Sequence, residues 1–442
     1  MSYSHIFTCF MKGKSKYLSV FFSIFVLLSI EPVVKNTTLC ADERRSPENI
    51  ISLDSKKDNF TILVEKKSLR LFIYDNNFNI YKSFPIILGK SKGNKNRVGD
   101  YKTPEGIYFF TNVKDKSELL PKYGVMALTT NYPNLIDIAH KKSGGGIWLH
   151  GTNQPARLLN PYETRGCVVA SNKNIFLIAI NVNLELTPII IVDKIRYVSA
   201  KTLKIVRKNM LELILKWKNA WANKNIEQYI SFYSKNFFSA SGMNRSKWKK
   251  NKMRFNKKYS FIKIAIKNIN IFRHDNYVIV TFKQKYMNNY FTSECLKRLY
   301  FTKKMHTWKI IGEEARQIPV DNPIKVLYKY FKDYTLATSG NAYKRENWLY
   351  DKNTFCYVVQ LFGTRSETKL ISFIKTYGLI NKVSYYRTIY KGKSWYVLVY
   401  GNYESMAEAK NAMEKLPKNL KKASPWIRKV RQLREAVIKA YL

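Results

Sequence analysis

Apolar and polar residues begin to alternate at Phe60, where "FTILVEKKSLRLFIYDNNFNIYKSFPIILGKSKGN" holds short period-two runs split by Lys66-Lys67 and by the turn signal Asp75-Asn76-Asn77. That is the grammar of β-hairpins, because the side chains of a strand point alternately to core and solvent. Further strands are expected at "GIYFFTNV", "VMALTT", "GIWLHG", "GCVVAS" and "LTPIIIV", with one helix near residues 173–182. The pattern predicts a mainly-β first domain over residues 59–196. Residues 42–58, "DERRSPENIISLDSKKD", are polar without a period and are expected to form a linker into it.

The period changes near Lys201, where Leu203, Val206, Met210, Leu213, Ile214, Trp217 and Trp221 recur at three- and four-residue steps. This predicts a long amphipathic helix with a tryptophan-rich buried face. A shorter helical piece at "NIEQYISFYSKNF" and a basic segment "NRSKWKKNKMRFNKKY" follow, then alternating runs at "IKIAIKNINIFR", "NYVIVTFKQKY" and "KRLYFTKKMHTWKIIGEE". Helices followed by a curved antiparallel sheet make residues 201–315 an α+β unit. Residues 316–353, with helical "IKVLYKYFKDYTLA", serve as a connector. Residues 354–433 then run "FCYVVQLFG", "SETKLISFIKTYG", "KVSYYRTIYKG", "SWYVLVYGNY", "SMAEAKNAMEKLP" and "WIRKVRQL", a βαββαβ order that builds a small sheet with helices on one face.

Composition sharpens this picture. At 442 residues, against roughly 100–200 per domain, one core cannot account for the chain. With 45% hydrophobic and 14% aromatic residues, wholesale disorder is excluded. The surplus of 77 Lys+Arg over 31 Asp+Glu leaves a net charge of +46, which draws a protein towards anionic polymers or surfaces. The accompanying excess of Lys, Asn, Ile, Tyr and Phe equally fits an AT-rich coding sequence. At the N-terminus, Lys12, Lys14 and Lys16 precede an apolar run from Tyr17 to Ile30, closed by Glu31-Pro32. The run falls short of the roughly 20 residues of a spanning helix. Residues 1–41 are therefore expected to be a signal peptide or N-terminal inner-membrane anchor, and the chain to be exported. Export removes nucleic acid as the partner of the positive charge. Cys9 and Cys40 fall in or beside that segment, which leaves Cys167, Cys295 and Cys356, too few for a disulfide framework. The five histidines are scattered and no Cys-x-x-Cys occurs, so no metal site or cofactor is read.

The candidate chemistry lies at "TRGCVVASN", residues 164–172, which follows "GIWLHGTN". A nucleophilic cysteine needs a base for its proton, a group that orients the base, and N–H donors where an oxyanion forms. His150 ends an apolar strand and can take the thiol proton. The Gly151 carbonyl can fix the imidazole tautomer, and the Arg165-Gly166-Cys167 turn can present consecutive amides. Spacing alone leaves the plainer reading open, in which Cys167 is a small buried residue and His150 a hydrogen-bonded strand end. His140 is a second candidate base.

Three stretches in order, "GDYKTPEGIYFF", "GIWLHGTNQP" and "TRGCVVASN", resemble the L,D-transpeptidase (YkuD-type) catalytic domain over about 135 residues. The resemblance implies a β-sandwich-like fold in which Cys167 attacks the carbonyl of a peptidoglycan stem peptide, with His150 as general base and acid. An amine of a second stem, or water, then resolves the thioester, and carbapenems acylate such enzymes. Catalytic roles fall on Cys167, His150, Gly151, Arg165 and Gly166, and substrate contacts on Arg165, Thr164 and Asn153. Arg165 stands where the family has a second histidine, and Val169 where it has a polar residue, which puts substrate choice in question more than the nucleophile.

Residues 201–315 are similar to cone-shaped domains of the nuclear transport factor two superfamily. The similarity implies a curved sheet wrapped around helices, whose outer face often makes homodimers and whose pocket holds a ligand or a filled core. Residues 354–433 look like a SPOR domain, which implies binding of glycan strands stripped of stem peptides, with Gln360, Trp395 and Trp426 as exposed contacts. Together these imply an exported L,D-transpeptidase at septal glycan in the periplasm, making 3-3 cross-links or attaching protein. A cysteine-dependent peptidoglycan hydrolase (L,D-carboxypeptidase or L,D-endopeptidase/amidase) and a non-catalytic septal glycan-binding scaffold are the alternatives.

Overall fold

The computed structural model describes residues 45–54, 59–304, 307–317, 349, 356–380 and 382–441. The apolar run at 17–30 and the connector helix lie outside these residues. Among the described residues no helix is long and apolar enough to cross a membrane.

The first domain is built on an eight-stranded sheet. Its strands run in the spatial order Val168–Val169, Trp148–His150, Met126–Thr130, Gly106–Asp115, Pro188–Val192, Thr61–Glu65, Arg70–Tyr74 and Ile80–Pro85. Pro188–Val192 pairs in parallel with Thr61–Glu65 and antiparallel with Gly106–Asp115, so its apolar run is buried on both sides, as a central strand requires. Helix Asn172–Ala179 starts directly after the cysteine strand. Ser171 caps it by accepting from the Asn174 amide at 3.2 Å, and it buries Ile175, Phe176 and Ile178.

Within the segment expected to be a linker, residues 45–54 are structured. Arg45–Pro47 pairs with Tyr197–Ser199, and Ile50–Ser52 adds a strand to the sheet of the middle domain, beside Ile262–His274. Three-residue strands are too short to show a period, although Ile50, Ile51 and Leu53 are buried.

In the middle domain, helix Ala200–Ala222 buries Leu203, Met210, Ile214, Trp217 and Trp221. The "NIEQYISFYSKNF" piece divides into helix Ile226–Ser231 and strand Tyr233–Ser239. The basic segment forms helix Arg245–Lys258, in which Lys252 is the buried residue. The cone interior is filled by Trp217, Trp221, Tyr229, Tyr233 and Phe237. The Lys252 ammonium sits 3.7 Å from the Trp221 ring centre and 4.6 Å from that of Trp248, while Lys297 pairs with buried Glu313 at 2.6 Å.

Burial pushes the pKa of Lys252 down to about 7, partly opposed by Glu313. Between that value and the ordinary lysine range the unfolded chain holds a proton that the folded chain has released, so this group makes stability rise with pH there. Relative to Lys252→Met, the natural protein is expected to gain roughly 1 kcal/mol per pH unit in urea unfolding between pH 7 and 9. A pH-independent difference would contradict this.

The face of the middle sheet expected to make homodimers is occupied within the chain. Phe272, Tyr277, Ile279 and Tyr300 share a core with Leu63, Ile107, Phe109 and Ile190 of the first domain. The Ile107 amide donates to the Tyr277 hydroxyl at 2.9 Å. The fully buried Arg298 pairs with Glu314 at 2.9 Å and with Glu185 at 2.7 Å, and lies 3.9 Å from the Phe109 ring centre. A buried cation paired twice and stacked on an aromatic ring fixes register between two domains, because any slip strands a charge.

The C-terminal unit has a four-stranded sheet ordered Val383–Tyr390, Lys393–Tyr403, Tyr357–Thr364, Trp426–Lys429. Helices Glu367–Thr376 and Met406–Glu414 flank it, and Leu370 and Ile374 of the first pack with Val359, Leu361 and Leu398 of the sheet. The segment "WIRKVRQL", expected to continue the sheet, leaves it after Lys429 and becomes helix Val430–Tyr441. Cys167 and Cys295 are free thiols.

Candidate active site

Val168–Val169 runs parallel to Trp148–His150, with Val168 opposite Leu149 and Val169 opposite His150. Carried back one residue, the register sets Cys167 opposite Trp148. Because alternate residues share a side, Cys167 and His150 face the same side of two adjacent strands, while Leu149 and Val168 enter the core. The Cys167 sulfur lies 3.3 Å from the Gly146 carbonyl oxygen.

His150 Nδ1 is 2.6 Å from the Gly151 carbonyl oxygen, which can only accept, so Nδ1 carries the hydrogen and Nε2 keeps its lone pair. Tyr123 stands edge-on to the imidazole at 5.0 Å and packs on Trp148 at 5.1 Å. Burial pushes the pKa of His150 down to about 4, and the positive field of Arg157 and Lys122 adds to this, against the Gly151 hydrogen bond. Burial also pushes the Cys167 thiol up, outweighing a Trp148 backbone contact and the nearby cations.

The resting pair is therefore a neutral thiol beside a neutral imidazole, and the proton moves only during attack. Alkylation of Cys167 by iodoacetamide, followed by peptide mass spectrometry, is expected to climb steadily from pH 6 to pH 9. A rate already level at pH 6 would indicate a thiolate–imidazolium pair instead.

The turn before the cysteine is held from inside. Thr164 Oγ1 accepts from the Gly166 amide at 3.0 Å and donates to the Cys167 carbonyl at 2.8 Å. Thr164 is buried and acts as a strut, so its assignment to substrate does not hold. The Gly166 amide, expected to face an oxyanion, is likewise spent on Thr164. Among the described residues no acceptor engages the amide of Cys167 itself, which leaves that donor for an oxyanion. Gly166 has φ +124°, and a Cβ there would come within 2.7 Å of the Lys102 carbonyl. This explains "GDYKTPEG": its backbone is the floor on which the cysteine turn rests. Arg165, two residues before the cysteine, is exposed, and the cations whose field reaches the thiol are Arg157, Lys122 and Lys95. His140 is exposed at the end of helix Leu135–Ala139, whose Leu135 packs at Gly312 of the middle domain.

Asn172 received no role in the sequence reading, yet it organises the loop. Its Oδ1 accepts from the amides of Thr152 at 3.0 Å and Val125 at 3.3 Å, and its Nδ2 donates to Asn153 Oδ1 at 2.8 Å. Asn153, exposed and assigned to substrate, is thus braced by Asn172. Position next to the Ser171 cap was the only signal available.

With this geometry in place, family models match three segments: an L,D-transpeptidase catalytic (YkuD) domain at residues 59–191, a Cds6 C-terminal NTF2-like domain at 209–314 and a SPOR domain at 355–429. Bd1075 of Bdellovibrio bacteriovorus is 31% identical with a TM-score of 0.54, and the match covers 63% of this chain and all of that one. The chain belongs to the YkuD L,D-transpeptidase family. Pgp2 of Campylobacter jejuni, a helical cell shape determining protein, is 28% identical with a TM-score of 0.50, covering 60% of this chain and 96% of that one. The cell division protein DamX of Serratia marcescens is 40% identical over 79 residues, and this chain spans 36% of that relative's length.

The SPOR sheet departs from expectation. Gln360, expected to be exposed, is 2% exposed and accepts from Arg428 at 3.0 Å; the same guanidinium reaches the Tyr386 hydroxyl at 3.1 Å. Trp395 is half-buried and packs at Gly363, while Trp426 is 50% exposed. The reason is the unforeseen helix Val430–Tyr441: Val430, Leu433, Val437 and Ile438 share a core with Val358, Tyr386, Val397 and Val399 of this sheet face.

Proposed function

We propose that this protein is a peptidoglycan acyltransferase of the bacterial envelope, in which Cys167 forms a thioester with a stem peptide and passes the acyl group to an amine. The observation that carries the reading is His150, its Nδ1 locked on the Gly151 carbonyl, sharing a strand face with Cys167. As the sulfur bonds to the stem carbonyl carbon, the thiol proton passes to His150 Nε2. The Cys167 amide faces the developing oxyanion. His150 returns the proton to the nitrogen of the departing D-residue as the C–N bond breaks. The acceptor amine then loses its proton to His150, its nitrogen bonds to the carbonyl carbon, and the C–S bond breaks with the thiol reprotonated.

Arg165, exposed two residues before the nucleophile, supplies a guanidinium for a stem carboxylate. The likeness of the SPOR segment to DamX, and of the longer segment to Pgp2, supports action at the septum in division or cell shape. A second reading, favoured by Arg165 in the place of a family histidine, has water as the acceptor and makes the protein a carboxypeptidase or endopeptidase.

Muropeptide analysis of tetrapeptide-bearing sacculi after exposure to the protein decides between them. New dimers joined between third residues are the expected result. Shortened or released peptides without new dimers would establish the hydrolase, and no change at all would favour a scaffold.

A further inference from the structure

Helix Val430–Tyr441 is gripped from two sides. Towards the sheet, its Val430, Leu433, Val437 and Ile438 bury against Val358, Tyr386, Val397 and Val399, and Thr388 Oγ1 donates to the Ala436 carbonyl at 3.0 Å. Towards the catalytic domain, Arg431 stacks 4.5 Å from the Phe60 ring centre and 4.4 Å from that of Tyr81. Glu435 accepts from the Tyr81 hydroxyl at 2.5 Å and pairs with Lys82. One short helix thus closes the sheet face that carries Gln360 and Tyr386 and ties that sheet to the catalytic domain.

We infer that this helix is an autoinhibitory strap: resting on the catalytic domain and binding a glycan strand across the SPOR sheet are mutually exclusive states of one chain. The inference rests on the reading that the SPOR sheet takes glycan. Two features fit a strap that lifts rather than a permanent core element. Arg431 Nε and Nη1 are buried without a hydrogen-bond partner, so the docked state leaves polar groups unsatisfied that water would satisfy on release. Beside the helix, half-exposed Trp426 with Ile389, Arg428, Gln432 and Lys439 lines an open groove of about 560 Å³. An indole face flanked by polar side chains offers a sugar ring its first foothold next to the covered sheet.

The test uses the full-length chain and sacculi stripped of stem peptides, and reads apparent affinity by co-sedimentation. Lys82→Glu lies in the catalytic domain, breaks the grip on Glu435 and lowers the net positive charge, so simple attraction to an anionic polymer predicts weaker binding. The strap predicts the opposite. Binding is expected to tighten about tenfold if the closed state outnumbers the open one by that factor. Glu435→Lys is expected to behave likewise, and the double exchange Lys82→Glu/Glu435→Lys to restore the pair and the weaker binding. Equal or weaker binding by Lys82→Glu, with the natural protein still retained, overturns the strap and leaves glycan recognition standing. Failure of every variant to bind overturns glycan recognition, and the strap with it.

Discussion

Cys167→Ala is expected to abolish acyl transfer, lowering turnover by at least about 10⁴-fold, because no neighbouring group can replace the sulfur as nucleophile. His150→Gln is expected to be nearly as severe, since a glutamine cannot accept the thiol proton that the buried Nε2 lone pair takes. Removing both should cost little more than removing either, as for groups acting as a unit. Cys167 is part-exposed at the end of its strand, so the alanine protein should melt close to the natural one. Residual dimer formation by Cys167→Ala above a few per cent would mean that the nucleophile lies elsewhere.

Gly124→Ala is the second large effect, and it works without touching the reacting atoms. Gly124 has φ +74°, and a Cβ there would collide with Asn172 Oδ1 and the Thr152 amide and lie 2.5 Å from the Gly151 carbonyl carbon. Two of those three atoms are backbone and the third is braced by several hydrogen bonds, so the Gly151 carbonyl has to move. That carbonyl sets the His150 tautomer, and a shift approaching 1 Å in such a group costs about 10²-fold in rate. The strain should also lower stability by about 3 kcal/mol. Gly145→Ala meets nothing within 4 Å and serves as the neutral control. Activity and melting temperature of Gly124→Ala matching that control would refute the bracing role of Asn172.

What could be read from the sequence was what lies close together along it. Alternation over four or more residues located the strands of the first domain, and the spacing of Leu203, Met210, Ile214 and Trp217 marked the long helix of the middle one. Cys167 and His150 stood out through the resemblance of their two stretches to a known family, since their spacing alone left the plainer reading open. Partners distant in sequence were not legible. Nothing local in Ile50–Ser52 says that it completes the sheet of a domain some 200 residues later, a separation visible only in its pairing with Phe272 and Ile271. Gln360 was expected to be exposed because a strand residue shows its period but not what covers its face. The covering helix was hidden because Val430 and Leu433 directly follow a strand, and "WIRKVRQL" reads as continuous. The outer face of the middle sheet was similarly ambiguous: Tyr277 and Ile279 mark an apolar face, and only the fold reveals that the catalytic domain already occupies it.

The most direct measurement is the intact mass of the protein, quenched in acid during turnover with a tetrapeptide-bearing muropeptide, with Cys167→Ala treated alongside. The account predicts a mass increase equal to the muropeptide minus the terminal D-amino acid it releases, mapped to the Cys167 peptide and absent from the variant. Product formation with no adduct on Cys167, or an adduct that persists in Cys167→Ala, would contradict it.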